Sequence, residues 1–291
     1  MKFGVAFANI GPFIESDRAL QLAQAAEASG FESIWTVDHV VVPAGYHSRY
    51  PYDPSGLIPS GEEAPFPDPL IWLAYLASQT ATLKLATGIL ILPQRNPVVL
   101  AKELATLDYL SQGRVMLGVG IGWLKEEFQA LGVPFEQRAE RTEEAIAAMR
   151  ALWSQDKATF EGTTVSFRDC VLRPQPPHGS IPLHIGGHSK VAARRAGRIG
   201  DGFFPFGVNT DELAPLVDTL RRAAEDAGRD PSSVEVTVCS YCSGGEAAMR
   251  EIDALRALGT TRVVLPAAMF QSDLEDSLHR YGEDVMGRVG A

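Results

Sequence analysis

Cysteine is scarce in this chain, and the three present, Cys170, Cys239 and Cys242, are odd in number and show no framework spacing. A disulfide-built scaffold is therefore excluded, and a reducing, cytoplasmic setting is expected. Cys239 and Cys242 form a C-x-x-C, yet no second pair completes a metal site and Cys239 falls in a strand-like run, so both read as structural. Positive charge is also short: 26 Lys and Arg against 36 Asp and Glu give a formal net charge of -10. Nucleic acid is not an expected partner, because neutralising its phosphates needs a basic face. Anionic small molecules stay open, since they answer to local field only. Long apolar runs are missing too. The two continuous ones, Leu83 to Leu92 and Arg114 to Ile121, fall short of a membrane span, so no membrane association is expected. The opening MKFGVAFANI is interrupted by Gly4 and Asn9 and is followed by no small-residue cleavage site, so it reads as a strand and not a secretion signal. Neither a His-x-His pair on the first strand nor a G-x-S-x-G elbow occurs, which argues against metal and serine hydrolases; no metal is expected.

What the chain does have is alternation. Leu83 to Trp123 reads as strand, helix, strand: two buried apolar runs flank a helix opened by Asn96 as N-cap and Pro97 at the first helical position, with Gly113 in the following turn. Such a unit makes parallel strands. The same rhythm recurs along the chain, with strands over Lys2 to Ala8, Ser33 to Val37, Pro182 to Ile185, Gly202 to Phe206, Val234 to Ser240 and Arg262 to Pro266. Helices are expected over Asp17 to Ser29 (capped by Ser16), Pro69 to Thr80, Lys125 to Leu131, Arg138 to Trp153, Pro215 to Ala227, Glu246 to Leu258 and Leu274 to Met286, and another directly after Ser189. Eight strands alternating with helices predict an α/β fold, a (β/α)8 TIM barrel forming a single domain over residues 1–291. Two excursions interrupt it: a long insertion after strand 2, Val41 to Pro69, and a small hairpin, Thr159 to Phe167, before strand 5. Tyr46, Tyr50, Tyr52 and Phe66 give the insertion more apolar material than a solvated loop needs and favour an ordered lid.

In a barrel the C-terminal strand ends share one mouth, and here they carry Asp38 and His39, Gly88 and Ile89, Gly120 to Trp123, and Gly186 to Ser189. His39 is the first catalytic candidate, as the side chain best able to exchange a proton near neutral pH; the plainer alternative is a structural hydrogen-bonder held by Asp38 or backbone. The glycines leave room for a ligand against bare backbone, the plainer alternative being close packing of strand on helix. Gly186-Gly187-His188-Ser189 feeds a helix N-terminus and offers backbone N–H groups to an anion, a tight turn being the alternative. An apolar, glycine-lined mouth with one histidine and one anion site suits a flat, phosphate-bearing cofactor.

Those pieces, FGVAFANIGP, the Asp38-His39 pair, TGILILPQRNPVVLAKELATLDYLSQGRVMLGVGIGW and IPLHIGGHSKVAARRAGRIGDGFFPF, resemble the bacterial luciferase-like flavin and deazaflavin oxidoreductases, most of all their coenzyme F420-dependent branch. The resemblance spans almost the whole barrel in the family's order. It implies that His39, with Asp38, sits at the reactive ring. Gly88-Ile89 would form a strand-three bulge with a non-proline cis peptide behind that ring. Gly186, Gly187, His188 and Ser189 would hold the phosphate, and Gly120 and Gly122 would lie beneath the side chain. Sugar-phosphate dehydrogenase members carry glutamate in place of Trp123 and tryptophan in place of Pro43, so the resemblance implies a different, less polar substrate here, walled by Trp123, Tyr46 and Tyr50. The activity implied is hydride transfer between coenzyme F420 and a small organic molecule. FMNH2-dependent monooxygenation, with FMN in the same cleft, is the alternative, and a non-catalytic cofactor-binding protein the third reading. A homodimer packed through outer helices is also implied.

Overall fold

The computed structural model describes residues 1–242 and 244–290. Its parallel strands are β1 (Lys2–Ala6), β2 (Ser33–Thr36), β3 (Lys84–Thr87), β4 (Leu90–Ile91), β5 (Val115–Gly120), β8 (Leu183–Gly186), β9 (Gly202–Phe204), β10 (Glu235–Cys239) and β11 (Arg262–Pro266), with β6 (Ala158–Glu161) and β7 (Ser166–Cys170) forming the antiparallel hairpin. Pairing runs β1-β2-β3-β5-β8-β9-β10-β11 and returns to β1, so the sheet closes into an eight-stranded barrel. The run expected as one third strand is two pieces. β3 and β4 both pair with β5, and between them the Gly88–Ile89 peptide is cis.

Local sequence sets the helices around it. In α3 (Pro97–Leu110) the Asn96 side chain accepts from the N–H groups of Val98 and Val99, as its N-cap position demands. Ahead of it lie α1 (Ser16–Ala28) and α2 (Pro69–Ala77); after it come α4 (Lys125–Ala130), α5 (Arg138–Ser154) and α6 (Lys190–Ile199), the last capped by the Ser189 hydroxyl on the Ala192 N–H. α7 (Thr210–Asp226) begins earlier than expected, because Asn209 and Glu212 make a reciprocal capping box and Pro215 lies inside the helix. α8 (Gly245–Ala257) and α9 (Leu274–Tyr281) complete the ring; the final helix expected through Met286 passes into a π-turn at Gly282–Met286.

Two apolar layers result. Leu22, Leu73, Leu104, Met149, Leu220 and Leu278 belong to the large core between strands and helices. Ala6, Trp35, Ala86, Met116, Phe204 and Val264 form a separate cluster of inward-facing strand residues, the barrel's own filling. Toward the N-terminal strand ends the filling turns polar. Arg262, 1% exposed, donates to Glu32 at 2.8 and 3.0 Å, to Glu235 at 2.9 Å and to the Thr237 hydroxyl at 3.1 Å, and Lys2 also pairs with Glu235. His184 packs edge-on to Trp35 beside them. Function is thereby left to the opposite end.

Candidate active site

A cavity of about 1160 Å³ opens there, lined by residues that follow β1 and β2, by the Gly88–Ile89 junction, by the ends of β5, β8 and β9 and by the Val41 to Pro69 insertion. Its wall is dominated by aromatic and aliphatic side chains, among them Phe7, Tyr50, Tyr52, Phe66, Trp123 and Phe206. Such a volume holds a cofactor together with a small substrate.

His39 stands on this wall with its side chain 10% exposed. Its Nδ1 lies 3.1 Å from Oε2 of Glu127, a carboxylate with no solvent exposure on α4. The other oxygen of Glu127 accepts the N–H groups of Val40 at 2.7 Å and Val41 at 3.3 Å. One buried carboxylate thus fixes both the imidazole and the chain that follows it. With Nδ1 turned to Glu127, Nε2 is the ring nitrogen without a hydrogen-bond partner among the described residues. Phe66 and Trp123 meet the imidazole edge-on, at centroid distances of 5.3 and 5.9 Å.

Asp38 serves a different purpose from its neighbour. Its side chain is 1% exposed; Oδ2 accepts the Ile91 N–H at 2.9 Å and Oδ1 accepts from Arg95 at 2.9 Å. Burial pushes the Asp38 carboxyl above its ordinary value, against the pull of Arg95 and the Ile91 N–H. Arg95 also donates to Asp68 at 3.0 Å, and Asp68 caps α2 through the N–H groups of Leu70 and Ile71. One guanidinium therefore ties together the residues that flank the lid. Asn9, wholly buried, does the same from the turn after β1: its amide donates to Val37 and Pro67 carbonyls and its oxygen accepts the Val37 N–H. Farther along the lid, Glu126 accepts the N–H groups of His47 and Ser48, and its acid is held down at about 2: burial opposes the shift, and these bonds outweigh it.

The glycines expected at the cofactor line the cavity, but much of their bare backbone is already covered. A Cβ on Gly120 or Gly186 would meet the Ile89 side chain at 2.5 and 2.7 Å, so Ile89 sits as a knob between two strand ends. Gly122 backs onto Phe128 and Ile91. Close packing, the plainer reading, accounts for these three. Gly187 differs: it needs a φ of 110°, and the nearest atom to an added Cβ is Ala192 Cβ at 3.2 Å. His188 and Ser189 are exposed at the head of α6, and the His188 ring meets Tyr52 of the lid at 4.9 Å.

The structure thus brings His39, Asp38, Gly88, Ile89, Gly120, Gly122, Trp123, Tyr50 and the Gly186 to Ser189 turn onto one cavity. Tyr46, expected in the substrate pocket, is the correction: it does not line the cavity but stands behind Trp123 at 5.5 Å, its hydroxyl accepting the Ile58 N–H. Asp38, expected as catalytic, has both oxygens occupied and acts as a clamp. Sequence reasoning missed Glu127, Arg95 and Asn9. Of these only Asn9 left a trace, as a polar interruption in a strand-like run. Phe7 was missed as well; its backbone is left-handed at φ 55°, and its ring meets Phe206 on the cavity wall. Cys239 and Cys242 carry poor thiolates, burial pushing them up to about 12 and about 11.

Fold and site together define a class: a closed parallel barrel whose C-terminal mouth holds a large apolar cleft, a carboxylate-backed histidine and a glycine turn heading a helix. The chain belongs to the luciferase-like monooxygenase family, whose model matches residues 4–287. An uncharacterized protein of Mycobacterium tuberculosis is 35% identical over 221 residues, covering 76% of each chain. The FMNH2-dependent dimethylsulfone monooxygenase of Pseudomonas putida is 35% identical over 214 residues, 72% of this chain and 53% of that one. Among solved structures, an F420-dependent secondary alcohol dehydrogenase in complex with an F420-acetone adduct superposes with a TM-score of 0.81 over 98% of both chains at 21% identity, a likeness of fold. The family's members are oxidoreductases and monooxygenases.

Proposed function

We propose that this protein is an oxidoreductase that moves a hydride between coenzyme F420 and a small, largely apolar organic molecule, with His39 holding or moving the accompanying proton. The observation that carries this reading is the His39–Glu127 pair set into an apolar cavity large enough for two ligands. The residues present fit the group. Gly187 and Ser189 head α6 with a backbone cradle that a Cβ would crowd, and Phe7, Trp123 and Phe206 supply flat apolar walls. When bound, the deazaflavin would supply a hydride carrier with carbon in place of the flavin nitrogen that supports one-electron chemistry.

The chain's own contribution follows from geometry. Glu127 accepts the Nδ1 proton and so presents Nε2 as the site of exchange; its charge also stabilises the imidazolium when Nε2 is protonated. Asp38 and Arg95 hold the backbone beside His39, and the lid aromatics Tyr50, Tyr52 and Phe66 give the cavity an apolar wall. Trp123 and Phe66 leave the imidazole little room to turn.

A second reading, reduced-FMN monooxygenation in the same cleft, is favoured by the Pseudomonas relative. Fluorescence titrations with coenzyme F420 and with FMN separate the two: tight binding of F420 supports hydride transfer, whereas tightening with FMN alone reverses the order. His39→Ala should leave binding nearly intact and lower turnover by about two to four powers of ten. A silent substitution would favour a non-catalytic binding protein. The homodimer is also carried as a proposal; Ile71 and Tyr75 on α2, with Val99, Tyr109 and Leu110 on α3, give it exposed apolar surface. Sedimentation of the wild type at twice the monomer mass, and of Leu110→Lys at the monomer mass, is the expected result.

A further inference from the structure

Two acids and two arginines line the cavity, and one of these charges goes unanswered. Asp38 pairs with Arg95, Arg195 pairs with Glu143, and Arg138 lies beside Glu136. Asp53, on the lid, forms no ion pair among the described residues. Contacts with Ser55, and no cation, hold its acid below the ordinary carboxylate value. Arg49, the cation of the same turn, donates to the Pro54 carbonyl instead. Oδ1 of Asp53 accepts the Ser55 N–H at 2.8 Å, a turn that asparagine would close equally well, so local structure does not ask for the charge.

The turn is fixed where it stands. The Tyr50 N–H donates to the Gly56 carbonyl at 2.8 Å and the Gly56 N–H to the Asp53 carbonyl at 2.9 Å, while the Tyr50 ring meets Trp123 at 5.3 Å and the Tyr52 ring meets Phe206 at 5.1 Å. Tyr241, just after β10, lines the same cavity; it is 65% exposed and touches no other aromatic ring among the described residues. Its ring is free to take a ligand. Burial first, then Tyr52, Tyr241 and Asp53, push the Tyr50 hydroxyl above its ordinary value, so the four side chains border one stretch of the cavity. Three tyrosine rings and an unpaired carboxylate suit a cation: the rings offer negative faces, the carboxylate supplies the counter-charge, and the chain's net charge of -10 adds a field of the same sign.

We infer that Asp53, Tyr50, Tyr52 and Tyr241 form a cation site at the rim of the cavity, and that the small molecule this enzyme acts on carries a protonated or quaternary amine that docks there. Trp123 stands between Tyr50 and the His39 imidazole, at 5.3 and 5.9 Å, so a molecule held at the rim by its amine reaches His39 along one indole. The amine's standing as substrate rests on the oxidoreductase reading above; its binding does not.

Choline and its neutral isostere 3,3-dimethyl-1-butanol give the test. Dissociation constants for both are measured by NMR titration in about 150 mM salt, where diffuse attraction to a negative protein is screened. Wild type should prefer choline by about 10-fold. Asp53→Asn, which keeps the turn, and Tyr241→Leu should each cut that preference to about twofold, with affinity for the isostere and for coenzyme F420 staying within about twofold of wild type. Tyr241→Phe should retain the preference. Equal binding of choline and its isostere by wild type would overturn the inference, as would a preference that survives both substitutions. Loss of F420 affinity along with choline would assign the rim to the cofactor and overturn it too. Wild type that prefers choline yet binds neither F420 nor FMN would uphold the cation site and remove only the oxidoreductase reading.

Discussion

A carboxylate on the Nδ1 side of an imidazole does two things at once, and Glu127 adds a third. It selects the tautomer, it stabilises the protonated ring, and through the Val40 and Val41 N–H groups it fixes where the lid departs. Glu127→Gln separates these roles. The amide oxygen can still accept the backbone N–H groups, while its NH2 turns to Nδ1 and drives the proton to Nε2. Turnover should fall by about 10²- to 10⁴-fold with cofactor affinity nearly unchanged. Unchanged turnover would show that His39 does not work through this carboxylate. No local pattern announced the pair: Glu127 is one of 36 acidic residues and lies 88 positions from His39. His39 itself was legible, because a histidine just past a buried strand has few plainer explanations.

At the scale of elements, legibility followed local chemistry. Asn96 with Pro97, and Ser189, start helices for reasons contained within four residues, and both positions hold. Pro215 misled, because proline usually marks a first turn; the capping box of Asn209 and Glu212 lies upstream of it. The split of β3 from β4 was opaque to periodicity, which sees only an apolar run through Leu83 to Leu92. The lid shows the same divide. Its aromatic content was visible, but the feature that closes its base, Arg95 between Asp38 and Asp68, depends on three segments meeting. Arg95→Ala leaves the Asp38 carboxylate buried and unpaired, and should cost about 3 kcal/mol in denaturant unfolding. It should also raise the protease sensitivity of Val41 to Pro69. A loss under about 0.5 kcal/mol would mean the clamp is ornamental to the lid.

Across the whole molecule the barrel divides its labour between two ends. The N-terminal end is plugged by Arg262 and its acids with His184 against Trp35, and its pH response can be worked out. Burial first, and the Arg262 charge second, push His184 from 6.5 down to about 4, so between these values the unfolded chain takes a proton that the folded one refuses. Stability is therefore full above pH 6.5 and falls by about 3 kcal/mol as pH drops toward 4. Burial opposes the ionisation of Glu235, but Arg262 and Lys2 outweigh it and hold its acid at about 2, so a further loss follows below pH 4.5. Chemical denaturation across pH 7 to 4 checks the first window: the slope should flatten in His184→Gln, and an equal slope in both proteins would place the proton uptake elsewhere. The C-terminal end is freed for chemistry, and a crystal structure of the protein soaked with coenzyme F420 tests that most directly. The ring should lie beside His39 and Trp123 with its phosphate on the Gly187 to Ser189 turn; a ring bound outside this cavity, or a phosphate remote from that turn, would refute the proposed site.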